Sequence, residues 1–190
     1  WHYIALNSAL EAIGIPPISR YDHETTYNGL PTKVKLEMLG LHEDECALVW
    51  KLKQDHTLYT IKENATIQEE KIELLSRLKE EGVLVACVTN SIEATTHEML
   101  ESTGQFEFFD LIITNEMVEN NKPYPDCYNL AVDKLGVDPD NCVIVEDSPK
   151  GLEAARSSIV PNVWHVSNSK QVTLENYRRF VNENFDSHGG

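Results

Sequence analysis

Apolar residues recur at helical spacing through the first third of the chain and gather into short unbroken runs after it. From Trp1 to Ile13 the apolar positions Ile4, Leu6, Leu10 and Ile13 predict a helix, and Gly14 is a natural stop. Pro16 and Pro17 punctuate its exit. Pro31 and Thr32 open KVKLEMLG, a short helix closed by Gly40, and a long helix is predicted from about Glu43 to Asn64. The character changes near residue 65. Ile67 to Glu81 is an amphipathic helix with Ile72, Leu75 and Leu78 on one face, ended by Gly82. VLVACV (Val83 to Val88) then reads as a strand covered on both faces. A helix over Ile92 to Ser102 and a short strand over Leu111 to Thr114 follow. Asp126 to Leu135 is a helix closed by Gly136, and CVIV (Cys142 to Val145) is another buried strand. Pro149 to Arg156 is a helix with proline early, where its missing N–H costs nothing. Asn162 to Val166 predicts a last strand and Val172 to Asn184 a closing helix.

Alternation of apolar strands with helices predicts a parallel sheet flanked by helices, preceded by an all-helical segment. The 190 residues suit one medium domain or a core with a small insert, and 41% hydrophobic with 25% charged residues is ordinary globular composition. The net charge of −15 makes nucleic acid a poor partner, because phosphate backbones call for clustered lysine and arginine. No apolar stretch is long enough to span a bilayer, so no membrane partner is expected. Cys46, Cys87, Cys127 and Cys142 are scattered and form no C-x-x-C pair. They read as reduced thiols in a cytoplasmic setting.

In parallel sheets of this kind ligands bind at the carboxyl ends of the strands. Those positions hold a coherent set. VLVACV is followed by Thr89, Asn90 and Ser91. Lys122 comes after the second run, with Pro123, Tyr124, Pro125 and Asp126 behind it. CVIV is followed by Glu146, Asp147 and Ser148. Two adjacent carboxylates are costly unless a cation or a hydrogen-bond network compensates, and Mg2+ fits that inventory. Lysine and hydroxyl donors would hold the remaining phosphoryl charge. Each piece alone has a plainer reading: a helix N-cap for Thr89-Asn90-Ser91 or for Glu146-Asp147-Ser148, a solvated loop lysine for Lys122. Their order, each after an apolar run, favours the joint reading.

VLVACVTNS, KPYPDCY and VIVEDSPKGLEAA resemble the second, third and fourth motifs of the haloacid dehalogenase-like (HAD) superfamily in its helical-cap subclass. WHYIALNSALEAIGI resembles the segment leading into that cap, and NGLPTKVKLEML the cap segment that reaches over the active site. The resemblance implies an α/β Rossmann-like core with a parallel sheet, residues 66–190, and a small helical cap, residues 1–65. It implies a Mg2+-dependent phosphatase acting on a small phosphorylated metabolite through an aspartyl-phosphate. Thr89 would hydrogen-bond the phosphoryl group and Lys122 would neutralise it. Glu146 and Asp147 would hold Mg2+. Asn90, Ser91, Thr32 and Lys33 would contact the substrate, and His2 matches a histidine near the cap hinge of beta-phosphoglucomutase-like relatives.

One departure matters. The family's first motif, a strand ending in DxDG whose first aspartate is the nucleophile, is not found. The only D-x-D, Asp138-Pro139-Asp140, reads as a turn. By the family's layout the nucleophile would lie about ten residues before Trp1. The sequence is therefore expected to be a truncated form lacking the first strand of its sheet, binding Mg2+ weakly and turning over little or nothing. Exposed strand edges would then invite a homodimer or a swap. Alternatives within the superfamily are a phosphomutase of the beta-phosphoglucomutase type and, less well, a haloacid dehalogenase, which needs no metal. Outside it stands a non-catalytic binding module. A receiver-type domain shares the carboxylates and lysine but has no reason to carry a cap of about 65 residues.

Overall fold

The computed structural model describes residues 2–28 and 30–185. Trp1, the expected first residue of the opening helix, and Gly29, within the cap segment, lie outside the described residues. The helical first third follows the apolar spacing closely. Helix α1 (His2–Ala12) turns its buried Ala5, Leu6, Ala9 and Leu10 inward. A short helix α2 (Arg20–Asp22) runs into a π-turn over His23–Tyr27, a segment the apolar pattern did not resolve. Helix α3 (Thr32–Met38) and the long α4 (Glu43–Asn64) complete this part. The start of α4 is tied by the His42 N–H, which donates to the Glu45 carboxylate at 2.9 Å. Leu6, Ala9, Leu10, Ile18, Leu36 and Val49 form one closed apolar core among these helices.

The rest of the chain alternates. Helix α5 (Glu69–Glu80), strand β1 (Ala86–Val88), α6 (Glu93–Ser102) and β2 (Leu111–Ile113) come first. Then follow α7 (Asp126–Leu135), β3 (Val143–Glu146), α8 (Pro149–Arg156), β4 (Asn162–His165) and α9 (Leu174–Asn184). Gly136 closes α7 in the left-handed region at φ 65°, where an L side chain would be strained. A second apolar core packs Ile113, Cys127, Tyr128, Ala131, Ile144, Ala154 and Ala155 between strands and helices. No described helix is long and apolar enough to cross a membrane.

The strands are parallel as expected, but they form two pairs instead of one sheet. β1 pairs with β2, Cys87 opposite Ile112, and β3 pairs with β4, Ile144 opposite Val163. An apolar cleft of about 690 Å³ separates them, lined by Val85 and Val88, Ile144 and Val145, with Leu75 of α5 and Ala131 of α7 on its two faces. This explains why the run VLVACV gives only three paired residues. Val83 and Leu84 remain 37% and 49% exposed instead of buried. Val145, the last residue of the apolar run CVIV, is 40% exposed for the same reason.

Leu36 is wholly buried in the helical core and carries its neighbours on α3 with it. Leu36→Ala is expected to cost roughly 2–5 kcal/mol of unfolding free energy, read from the denaturant midpoint.

Candidate active site

The sequence-derived residues converge where β1 and β3 end. Lys122, in the loop before α7, is 8% exposed. Its ammonium donates to the Val88 carbonyl at 3.1 Å and to Glu146 Oε2 at 2.8 Å, and stands 4.7 Å from the centre of the Tyr128 ring. An ammonium has three N–H donors, so one remains to point at a ligand. The loop is fixed from the other side by Asn90. Its side-chain amide donates to the Lys122 carbonyl and its carbonyl oxygen accepts from the Lys122 N–H, each at 3.2 Å. Asn90 therefore shapes the lysine loop as well as lining the space beyond it.

Glu146 is the hub of this arrangement. Oε2 also accepts from the Tyr128 hydroxyl at 2.7 Å. Oε1 accepts from the N–H groups of Asp147 and Ser148 and from the Ser148 hydroxyl, all at 3.0 Å. Burial would raise the carboxyl, but the Lys122 charge and these donors prevail and hold it down at about 2. The same glutamate pushes the Tyr128 phenol far up, after burial itself. With both oxygens engaged, Glu146 could reach a cation only by giving up part of this network. Asp147 differs. It is more exposed, and partial desolvation, followed by the Glu146 charge and a hydrogen bond with the Glu146 carboxyl, raises it above the usual carboxylate range. An anion made costly in this way, beside a second carboxylate, is the group a cation would stabilise. The donor set thus fits a divalent metal through Asp147, although the described residues contain no cluster of three His, Cys, Asp or Glu side chains to hold one alone.

Thr89 follows β1 directly. Its hydroxyl accepts from the Ser91 N–H at 3.0 Å, which orients the oxygen and leaves its own proton to donate elsewhere. Ser91 Oγ lies 3.3 Å from His2 Nε2, so the first helix reaches the strand ends through this pair. Ser91, Asn90, Thr32 and Lys33 all line a second, smaller pocket of about 100 Å³ between the helical part and the strand ends. The geometry thus divides the expected residues. Thr89, Lys122 and Asp147 gather at one point, and Thr32, Lys33, Asn90 and Ser91 lie beside it.

Sequence reasoning missed several residues here. Tyr128, inside KPYPDCY, clamps Glu146, and nothing in the motif alone distinguished it from a core tyrosine. Lys35 and Lys53 line the smaller pocket at 8% and 7% exposure. A signal for Lys53 was present: Val49, Lys53, Thr57 and Ile61 recur every fourth residue on the buried stripe of α4, and a lysine at such a position is out of place. Burial depresses both lysines to about 8, with the Lys35 charge adding to the effect on Lys53.

A family model described as haloacid dehalogenase-like hydrolase matches residues 2–164. A phosphorylated carbohydrates phosphatase of Thermotoga maritima is 30% identical over 109 residues, which is 57% of this chain and 49% of the relative. The chain spans about half the length of the curated relative it matches there. Two solved structures share the fold at 22% identity. CbbY from Rhodobacter sphaeroides, in complex with phosphate, superposes with a TM-score of 0.78 over 88% of this chain and 79% of its own. A beta-phosphoglucomutase from Clostridium difficile does so with 0.75 over 96% and 90%.

Two expectations follow from the geometry. Gly151 has no room for a side chain, because a Cβ would overlap the Glu146 carboxyl group. Gly151→Ala is expected to lower stability by about 1–3 kcal/mol and to displace Lys122, seen as a shift of its side-chain NMR signals. The second concerns pH. The buried lysines titrate near 8 when folded and near 10.5 when unfolded, so between these values the unfolded chain holds protons the folded one has released. Stability should then rise with pH across that window by linkage. The rise should shrink in Lys35→Met, measured as the difference between the two chains so that other groups cancel.

Proposed function

This chain belongs to the haloacid dehalogenase-like hydrolase family, and on that premise we propose that it serves a Mg2+-dependent phosphatase of small phosphorylated metabolites. The observation that carries the reading is the buried Lys122 ammonium, held by Glu146 and the Val88 carbonyl with one N–H unspent, beside Thr89 and Asp147. A phosphoryl group placed there would meet a fixed cation and a hydroxyl donor already oriented by the Ser91 N–H. Preorganised donors of this kind act at the charge that develops in transfer and need not reorganise. Asp147 would hold Mg2+, which supplies charge neutralisation of the phosphoryl oxygens when bound. Glu146 acts at one remove: it keeps Lys122 in place.

The attacking carboxylate is the remaining part. We place it on an apolar strand seated in the cleft between β1 and β3. Those strands face each other across apolar walls, and their carboxyl ends open at Thr89 and Asp147. A parallel strand there would carry its last residue to Lys122. It would also bury Val83, Leu84 and Val145, whose exposure is otherwise unfavourable. A phosphomutase is the second reading. It is favoured by the two buried lysines on the cap side of the same site, which suit a second acidic group.

The test assays p-nitrophenyl phosphate with and without Mg2+, comparing the 190 residues alone with a chain in which an apolar strand ending in DxDG precedes them. The strand-bearing form is expected to be active only with Mg2+. Lys122→Ala or Asp147→Ala should lower kcat by about 10²–10³-fold. A strand-bearing form that stays inert across a broad panel of phosphate esters would sink the phosphatase reading.

A further inference from the structure

Tyr128 sits on the first turn of α7 and does something its place in the core does not require. It is 6% exposed and packs with Ile113, Ile144 and Ala155. A phenylalanine would fill the same space, and a buried hydroxyl is unfavourable unless it finds a partner. The partner is Glu146 Oε2, at 2.7 Å. Glu146 is well satisfied without it. Lys122 already gives Oε2 a charge-assisted bond at 2.8 Å, and Oε1 takes the Asp147 and Ser148 N–H groups and the Ser148 hydroxyl. The hydroxyl therefore needs a reason other than neutralising the carboxylate.

The reason lies in the count of lone pairs. An ionised carboxylate offers about four acceptor sites, two on each oxygen. Five donors share those of Glu146, and on Oε2 one site goes to Lys122 and the other to Tyr128. No site is left for a second N–H of the same lysine. Without the hydroxyl, Oε2 would regain a lone pair beside the ammonium, and the N–H now unspent is the nearest donor to fill it. The ring works in the same direction. Lys122 Nζ stands over it, 4.7 Å from its centre. An aromatic face there keeps water off one side of the ammonium and attracts the charge without taking a strong hydrogen bond.

We propose that Tyr128 is a positioning residue for Lys122: its hydroxyl closes the last lone pair of Glu146 Oε2 and its ring covers one side of the ammonium, so that the third lysine N–H stays unspent and faces the strand ends. The Val88 carbonyl and Glu146 fix two N–H directions, and the tetrahedral geometry of the ammonium then fixes the third. Tyr128 prevents that third donor from collapsing onto the carboxylate. The inference rests on the phosphatase reading for what the N–H meets, and on the geometry alone for the state of the N–H.

The experiment compares the 190-residue chain with Tyr128→Phe and Tyr128→Leu by NMR of the Lys122 side chain, assigned by the signals that Lys122→Met removes. The ammonium protons and the non-exchanging Cε protons are both followed, so that the comparison stands if the ammonium exchanges too fast to be seen. Tyr128→Phe keeps the ring and the core volume and removes only the hydroxyl. It is expected to move the Lys122 signals, the ammonium protons downfield as a second N–H turns to the carboxylate, while core methyl signals stay in place. Tyr128→Leu should in addition remove the ring-current shift of the Cε protons. Lys122 signals unmoved in Tyr128→Phe overturn the proposal. So does a change spread through the whole core, which marks a packing role alone. Activity separates the two readings. In the strand-bearing form with Mg2+ and p-nitrophenyl phosphate, Tyr128→Phe should lower kcat by about 10-fold and leave KM within about 2-fold. Moved signals with unchanged kcat, or with no activity in either chain, support the positioning and count against the phosphatase reading.

Discussion

The Lys122–Glu146 pair is the interaction on which the site depends. Each partner is about nine-tenths buried, and their 2.8 Å contact joins the loop before α7 to the end of β3. Removing two charges from water is expensive, and a buried pair pays back only when its remaining valences are satisfied. Here nearly all of them are. Glu146 accepts five hydrogen bonds, from Lys122, Tyr128, the Asp147 and Ser148 backbones and the Ser148 hydroxyl. Ser148 in turn accepts from the Gly151 N–H and starts α8. One carboxylate thus sets the lysine and the first turn of a helix together. The donor left over on Lys122 is the exception, and it faces the strand ends.

Much of this was legible in the sequence, because it depends on local pattern. α4 spans the expected Glu43–Asn64 and α7 the expected Asp126–Leu135, the latter marked by apolar spacing and a closing glycine. The parallel pairing of strands also followed from alternation with helices. What pattern could not give was the partition of charge between neighbours. Glu146 and Asp147 are adjacent acidic residues and look equivalent as metal ligands. Only the fold shows that one turns inward to Lys122 and the other stays exposed beside it. Asn90 is a similar case. Its residue type fits substrate contact, while its hydrogen bonds with Lys122 depend on a loop more than thirty positions away. The π-turn over His23–Tyr27 escaped notice because an extra residue per turn breaks the spacing on which helix reading relies.

The two pockets are opposite in character. The cleft between β1 and β3 is apolar and edged by strands. The pocket beneath α3 and α4 is small and lined by two buried lysines. Hydrophobic burial is the larger effect in the first and electrostatics in the second, because a desolvated charge changes free energy far more per atom than apolar area does.

The placement of the lysines is informative because the surrounding field works against an anionic ligand. A chain of net charge −15 repels phosphates at long range, and salt screens that repulsion beyond roughly 8–10 Å. Lysines on the surface would be lost in this negative background and paired by nearby carboxylates. Lysines placed in low dielectric act at short range and stay unpaired until a ligand enters. Lys122 is neutralised by Glu146 and offers direction more than charge. Lys35 and Lys53 have no such partner and offer charge. Unpaired buried charge therefore belongs to the helical segment over the strand ends, and the fixed, paired lysine belongs to the strand ends themselves.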